Sequence, residues 1–213
     1  MLPRGFLSAP PLDPPVAMAA ATKWEDTAML VIDMQKDFVR PGWPTYVAGA
    51  EAIVPSVIRA VSVARERGIF VIWVVREHDP CGRDVELFRR HMYVDGKGPI
   101  SKGSEGAELV EGLVIQEGDY KLTKTRFSAF FATHLHSLLN TSGIKRLVIV
   151  GVQTPNCIRQ TVFDAVALDY QQVTVLTDAT AAATHEVHIA NILDMKNVGV
   201  ATLTLQEWCD RGA

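Results

Sequence analysis

The chain has 213 residues, 48% of them hydrophobic, enough to bury a full core as one domain. A formal net charge of -3 argues against nucleic acid or an anionic membrane as the main partner, and no apolar run approaches the ~20 residues of a membrane span. Three cysteines (Cys81, Cys157, Cys209) are too few and too scattered for a disulfide framework, so a reducing, cytoplasmic setting is expected.

Residues 1–25 differ from the rest: five of the chain's 11 prolines fall between Pro3 and Pro15, with much alanine and little charge. This stretch reads as a disordered Pro/Ala-rich leader, with residues 26–213 as the folded domain. Arg4 is the only basic residue before Lys23, and Asp13 interrupts the tract. A transit peptide is therefore one reading, and a floppy extension with Met18 as an alternative start is the other.

From Thr27 onward, strand-like runs alternate with helical patterns. Ala28 to Asp33 is a continuous apolar run ending in a carboxylate, and Ala52 to Arg67 has helical periodicity that stops at Gly68. Ile69 to Val75 is a second buried strand, and Tyr120 to Thr125 a third, more polar one. A helix is expected over about Phe130 to Leu139. Leu147 to Val150 is the fourth strand, followed by a helix from Ile158 to Leu168. Val173 to Thr177 is the fifth, His185 to Lys196 the next helix, and Val200 to Leu203 the last strand. Strands apolar on both faces, alternating with helices, predict a single α/β domain: a mostly parallel six-stranded sheet between two helical layers.

In such a sheet, ligands bind beyond the carboxyl ends of the strands. Asp33, Arg76, Lys124 and the turn leading to Cys157 all lie there. No glycine-rich phosphate loop follows the first strand, since Met34-Gln35-Lys36-Asp37-Phe38 stands in its place, which argues against a dinucleotide cofactor. In Val148 to Cys157 a strand runs into a helix start, with Thr154 as the expected N-cap and Pro155 at the first helical position. Cys157 would then sit in the first turn, where the helix dipole lowers a thiol pKa and N–H groups can receive an oxyanion.

Asp33 reads either as a local cap or as the general acid/base for that thiol. Lys124, three positions from Lys121, takes the opposite strand face, so one can enter the site while the other meets solvent. Its strand is expected to abut the first, which lets the cation hold Asp33 and stabilise the sulfur.

Three segments carry a resemblance: Leu30-Val31-Ile32-Asp33-Met34-Gln35-Lys36-Asp37-Phe38, Lys124-Thr125-Arg126-Phe127-Ser128-Ala129-Phe130 and Gly151-Val152-Gln153-Thr154-Pro155-Asn156-Cys157-Ile158. Together, and in this order, they resemble the isochorismatase-like cysteine hydrolases over roughly Thr27 to Leu205. The resemblance implies that family's Rossmann-type αβα fold and an Asp-Lys-Cys triad at Asp33, Lys124 and Cys157. It implies a cis peptide at Val152–Gln153, and an oxyanion hole from the backbone N–H groups of Gln153 and Cys157. The implied reaction is thiolate attack on an amide carbonyl, loss of an amine or ammonia, and hydrolysis of the thioester.

The nicotinamidase branch of that family carries an Asp-x-His…His metal site, but no histidine lies between Asp37 and Ile69. No metal and no cofactor are therefore expected. The segment Val75 to Pro80, with Asp84, Phe88, Arg89 and Arg90, instead resembles the entrance loop of ureido- and carbamoyl-cleaving relatives. Arg76 either clamps a substrate carboxylate or pairs with Glu77 or Asp84 in a solvated loop. Phe38, Trp43 and Phe130 are candidate pocket walls or core residues, and Gln153 either recognises an amide or urea group or points away. His185 and His188 are expected on a solvated helix face.

The leading reading is a cysteine-dependent hydrolase cleaving a C–N bond of a small amide, ureido or carbamoyl compound. The alternatives are vinyl-ether hydrolysis of the isochorismatase type, a nicotinamidase-like homologue without that activity, and a scaffold without turnover. A small-molecule substrate is the expected partner, and the resemblance favours a homo-oligomer, with Val162, Val166 and Ala190 on faces that partner subunits could cover.

Overall fold

The computed structural model describes residues 23–211; the expected leader lies almost wholly outside the described residues. Strand β1 (Thr27–Ile32) is buried over its whole length because it has a strand on either side and helices on both faces. Met29 and Val31 face one layer, while Ala28, Leu30 and Ile32 face the other. Burying side chains of this kind contributes about 1.5–3 kcal/mol each.

Six strands form one parallel sheet in the order β3-β2-β1-β4-β5-β6. The others are β2 (Phe70–Arg76), β3 (Tyr120–Lys124), β4 (Arg146–Val152), β5 (Gln172–Ala181) and β6 (Ala201–Leu203). A short helix α1 (Lys36–Val39) follows β1. Helices α2 (Ala50–Glu66) and α6 (Leu205–Asp210) pack on one face of the sheet. On the other lie α3 (Leu135–Thr141), α4 (Arg159–Ala167) and α5 (His185–Asn197). This is the expected three-layer α/β sandwich. No described helix is long and apolar enough to cross a membrane.

Strand order reverses between β1 and β4, which opens a crevice beyond their carboxyl ends. Gly151 keeps those ends together. It pairs with Ile32 at φ 114°, and a Cβ there would collide with the Ile32 backbone.

Five local expectations need correction. β3 pairs with β2, not β1, so the Lys124 side chain must reach across one strand. The helix expected from Phe130 begins only at Leu135: Ala132 is left-handed (φ 53°), and the Thr133 hydroxyl takes the Ala129 carbonyl at 2.6 Å, which denies the backbone a helical ladder. Thr154 does not cap, because its hydroxyl pairs with His188 Nδ1 at 2.8 Å. That contact buries His188, while His185 stays exposed. Val162, expected on a partner-covered face, is fully buried in the chain's own core, whereas Val187, Ile189 and Leu193 of α5 are exposed.

Candidate active site

Asp33 is the first residue after β1, fully buried and left-handed at φ 53°, a region that Asp tolerates better than most residues. Its N–H donates to the Val74 carbonyl at 2.9 Å, which aims the carboxylate over the carboxyl end of the sheet. Lys124 closes β3 on the buried face, while Lys121 faces out and pairs with Glu77. Lys124 Nζ donates to Asp33 Oδ2 at 2.8 Å, to the Arg126 carbonyl at 3.1 Å and to Cys157 Sγ at 3.4 Å. All three donors of the ammonium are thus engaged.

Cys157 lies in a single π-helical turn, Thr154–Ile158, between β4 and α4. The turn is held by the Gln153 carbonyl, which accepts from Asn156 N–H at 3.1 Å and Ile158 N–H at 3.3 Å, and the Val152–Gln153 peptide is cis. The Cys157 carbonyl accepts from the Thr161 hydroxyl at 2.6 Å, and the Thr161 oxygen accepts from Ala129 N–H, which ties the turn to the segment after β3.

Burial, then the Asp33 carboxylate, pushes the Cys157 thiol above its usual 9.0, against the opposing pull of Lys124 and Arg76. This corrects the expectation of a lowered thiol pKa. A wholly enclosed sulfur loses more from desolvation of its anion than the neighbouring cations and the short helical turn return.

Arg76 is not in a solvated loop. It is fully buried, its Nη1 pairs with Glu86 Oε1 at 2.8 Å, and its Nη2 lies 3.7 Å from Cys157 Sγ. Its guanidinium carbon sits 5.3 Å from the centre of the Phe127 ring. Burial opposes its charge, yet Cys157, Asp33 and Glu86 together raise its pKa above the ordinary arginine value. Burial would likewise raise Glu86, but Arg76 outweighs it and holds the carboxyl below its usual range. Arg89 lies 5.2 Å from the same Phe127 ring and 3.9 Å from Glu86 Oε2. Burial and the like charge of Arg76 lower its pKa.

Of the expected pocket walls, Phe38 packs in the core layer opposite the one that holds Cys157. Phe130 packs against His136 and Tyr170, Trp43 is half-buried with its backbone N–H donating to the Arg40 carbonyl at 3.3 Å, and Gln153 is half-buried before the π turn. The aromatic residue at the arginines is Phe127. Glu86 and Arg89, three apart at the start of a 3-10 turn (Leu87–Met92), share a face there.

Asp33, Lys124 and Cys157 thus meet at the switch point of a parallel α/β sandwich. The isochorismatase domain model matches residues 27–207. The chain belongs to the isochorismatase-like hydrolase family. It is 69% identical over 192 residues to a probable inactive nicotinamidase of Arabidopsis thaliana, a match covering 89% of this chain and 98% of that protein. An isochorismatase family protein from Desulfovibrio vulgaris superposes with a TM-score of 0.85 at 44% identity, covering 87% of this chain and 97% of that one. Pyrazinamidase of Pyrococcus horikoshii, solved in complex with zinc, gives 0.71 at 26% identity over 84% of this chain and 99% of that one. Among the described residues here, no group of three or more His, Cys, Asp or Glu side chains is placed to hold a metal ion.

Proposed function

We propose that the protein is a cysteine hydrolase that cleaves a C–N bond of a small amide, ureido or carbamoyl compound, with Cys157 as nucleophile, Asp33 as general acid/base and Lys124 as their electrostatic partner. The observation that carries this reading is the Lys124 ammonium, 2.8 Å from Asp33 and 3.4 Å from the Cys157 sulfur in a fully buried setting. A structural ion pair has no need of a thiol at its edge.

The raised thiol pKa sets the order of events. Asp33 takes the thiol proton as sulfur attacks the carbonyl carbon, so the anion forms only when the new C–S bond disperses its charge. The carbonyl oxygen becomes the oxyanion, assigned by family resemblance to the N–H groups of Gln153 and Cys157. Asp33 returns the proton to the leaving nitrogen, the C–N bond breaks, and ammonia or an amine departs from a thioester. Asp33 then accepts a proton from water as it attacks. Collapse breaks the C–S bond, releases the acid and restores the thiol. Lys124 balances Asp33 whenever that carboxylate is charged.

The Arabidopsis relative is named a probable inactive nicotinamidase, which agrees with the second reading, a nicotinamidase-like homologue without that activity, and does not contradict the first. The exposed apolar side chains of α5 support assembly as a homo-oligomer, which sedimentation would measure. The enzyme reading is tested by ammonia release from ureidoacrylate-like, biuret-like and nicotinamide substrates, with mass spectrometry for an acyl group on Cys157. Activity that Cys157→Ala leaves near wild type would overturn covalent catalysis.

A further inference from the structure

Helix α5 carries a histidine where its pattern asks for an apolar side chain. His188 shares the inward face with Ile192 and Met195 and is buried. Its Nδ1 meets the Thr154 hydroxyl at 2.8 Å, and the ring makes a second hydrogen bond to the backbone of Thr177. Burial lowers its pKa against the opposing pull of that second bond, so the ring is neutral with a single N–H. A bond that raises a histidine pKa is one the ring donates, so the N–H goes to the Thr177 carbonyl. Nδ1 is left as the acceptor, and the Thr154 hydroxyl donates to it.

Thr177 can receive the ring because β5 bulges there. Pairing with β4 jumps from Ile149 with Val175 to Gly151 with Thr180, and pairing with β6 ends at Leu176. The carbonyls in between are released from the ladder. Histidine and hydroxyl thus form a strut from the bulge of β5, across α5, to the turn that carries Cys157.

The place of Thr154 says what the strut does. A threonine at a helix start ordinarily turns its oxygen onto the N–H two or three residues on, here Asn156 or Cys157. The Asn156 N–H already goes to the Gln153 carbonyl at 3.1 Å, so a released Thr154 hydroxyl would take the Cys157 N–H. That N–H is one of the two given to the oxyanion in the proposed mechanism. Thr154 makes no such cap bond, because His188 holds its hydroxyl.

We propose that His188 is a positioning residue for the hydrolysis: it holds the Thr154 hydroxyl off the Cys157 N–H and keeps that donor open for the oxyanion. The inference rests on Cys157 being the nucleophile, and its tests separate the two.

The probe is 4-nitrophenyl acetate. Sulfur bonds to the acetyl carbon, the thiol proton passes to Asp33, the C–O bond breaks, and 4-nitrophenolate leaves behind an acetyl thioester. Release by Cys157→Ala is subtracted, and mass spectrometry confirms the acetyl group on the Cys157 peptide. His188→Leu should slow acetylation at least about tenfold, since losing one oxyanion donor costs about 10²–10³-fold. His188→Asn, whose Oδ1 stands near the place of Nδ1, should keep part of the rate.

The deciding variant adds Thr154→Val to His188→Leu. With no hydroxyl left to occupy the N–H, acetylation should return to within about threefold of wild type. A merely structural histidine would instead give losses that add. Added losses, or a His188→Leu rate equal to wild type, overturn the proposal. Replacing both partners of a buried hydrogen bond by apolar groups is close to neutral for folding, so the double variant remains measurable where His188→Leu is unstable. A rate about tenfold below wild type in the double variant overturns the proposal in that case as well.

A second measurement needs no chemistry at the sulfur. The Cys157 amide proton, followed by NMR, should move downfield in His188→Leu as the hydroxyl takes it, and return in the double variant. An amide unmoved by His188→Leu overturns the positioning role. An amide that moves as expected, with phenolate release as fast in Cys157→Ala as in wild type, sinks the nucleophile reading and leaves the grip of His188 on Thr154 in place.

Discussion

Gln35 grips the backbone of Arg76 from both sides. Its Nε2 donates to the Arg76 carbonyl at 2.7 Å, and its Oε1 accepts the Arg76 N–H at 2.7 Å. A further bond from Nε2 to the Ala107 carbonyl at 2.8 Å ties in the long connection between β2 and β3. A wholly buried amide used in this way fixes where the guanidinium leaves the sheet, and so what reaches the sulfur. Gln35→Leu should cost about 2–4 kcal/mol, since it leaves two carbonyls and one N–H unpaired in the interior. Urea unfolding measures that loss. An intact midpoint would mean that water or repacking replaces the amide.

The Asp33–Lys124 pair makes opposite demands on stability and function. Asp33→Asn strands a buried ammonium and should cost about 3–5 kcal/mol, whereas Asp33→Asn combined with Lys124→Met should recover much of it. Turnover should stay low in both, by about 10²–10⁴-fold, if Asp33 carries the proton. Lys121→Ala is the control: its exposed pair with Glu77 should be worth less than about 1 kcal/mol. Equal effects at Lys121 and Lys124 would contradict the burial difference between them.

How much of this was legible in the sequence follows from the range of the forces involved. Strand and helix patterns report burial through local periodicity, so the alternation of layers and the outward turn of Lys121 could be read directly. Asp33, Lys124 and Cys157 could be placed at one rim because each ends or follows a strand. Strand order could not be read, because a period says nothing about which neighbour a strand takes. Glu86 and Arg89 come from a connection whose path is set by distant contacts, such as the buried Asp37 carboxylate accepting the Ile100 N–H. Phe127 and Phe130 are chemically alike, and only the irregular backbone between β3 and α3 sends one to the arginines and the other to Tyr170. The thiol's shift depends on enclosure, which no motif encodes.

That shift has a consequence for stability against pH. Burial raises the Cys157 pKa in the folded chain above the unfolded value near 9.0, so the unfolded state loses its proton first as pH rises. Unfolding is then favoured with increasing pH, by at most about 1.4 kcal/mol per unit between the two pKa values, and the contribution is whole below the unfolded one. Tyr93 and Tyr170, both pushed to about 12 mainly by burial, act with the same sign but only from about pH 10 upward. Between pH 8.5 and 10, wild type should therefore lose stability more steeply than Cys157→Ala. Parallel curves in chemical denaturation would show that the sulfur is no harder to ionise in the fold than outside it.

Gly151 offers the sharpest test of how the crevice is built. Its φ of 114° is one that side chains rarely adopt, and the space a methyl group would need is filled by the Ile32 backbone. That close approach sets β1 against β4 immediately before Asp33 on one strand and the Cys157 turn on the other. Gly151→Ala must either part the strands, and with them the carboxylate and the sulfur, or leave the chain unfolded. The expected outcome is a loss of about 3 kcal/mol or more, seen as a lowered thermal midpoint or a collapse in soluble yield. Gly143→Ala, at φ 71° but with open space around its Cβ position, should show the smaller cost of backbone conformation alone, about 1 kcal/mol. If the two variants lost the same amount, the contact with Ile32 would count for nothing and the crevice would owe its shape to some other constraint.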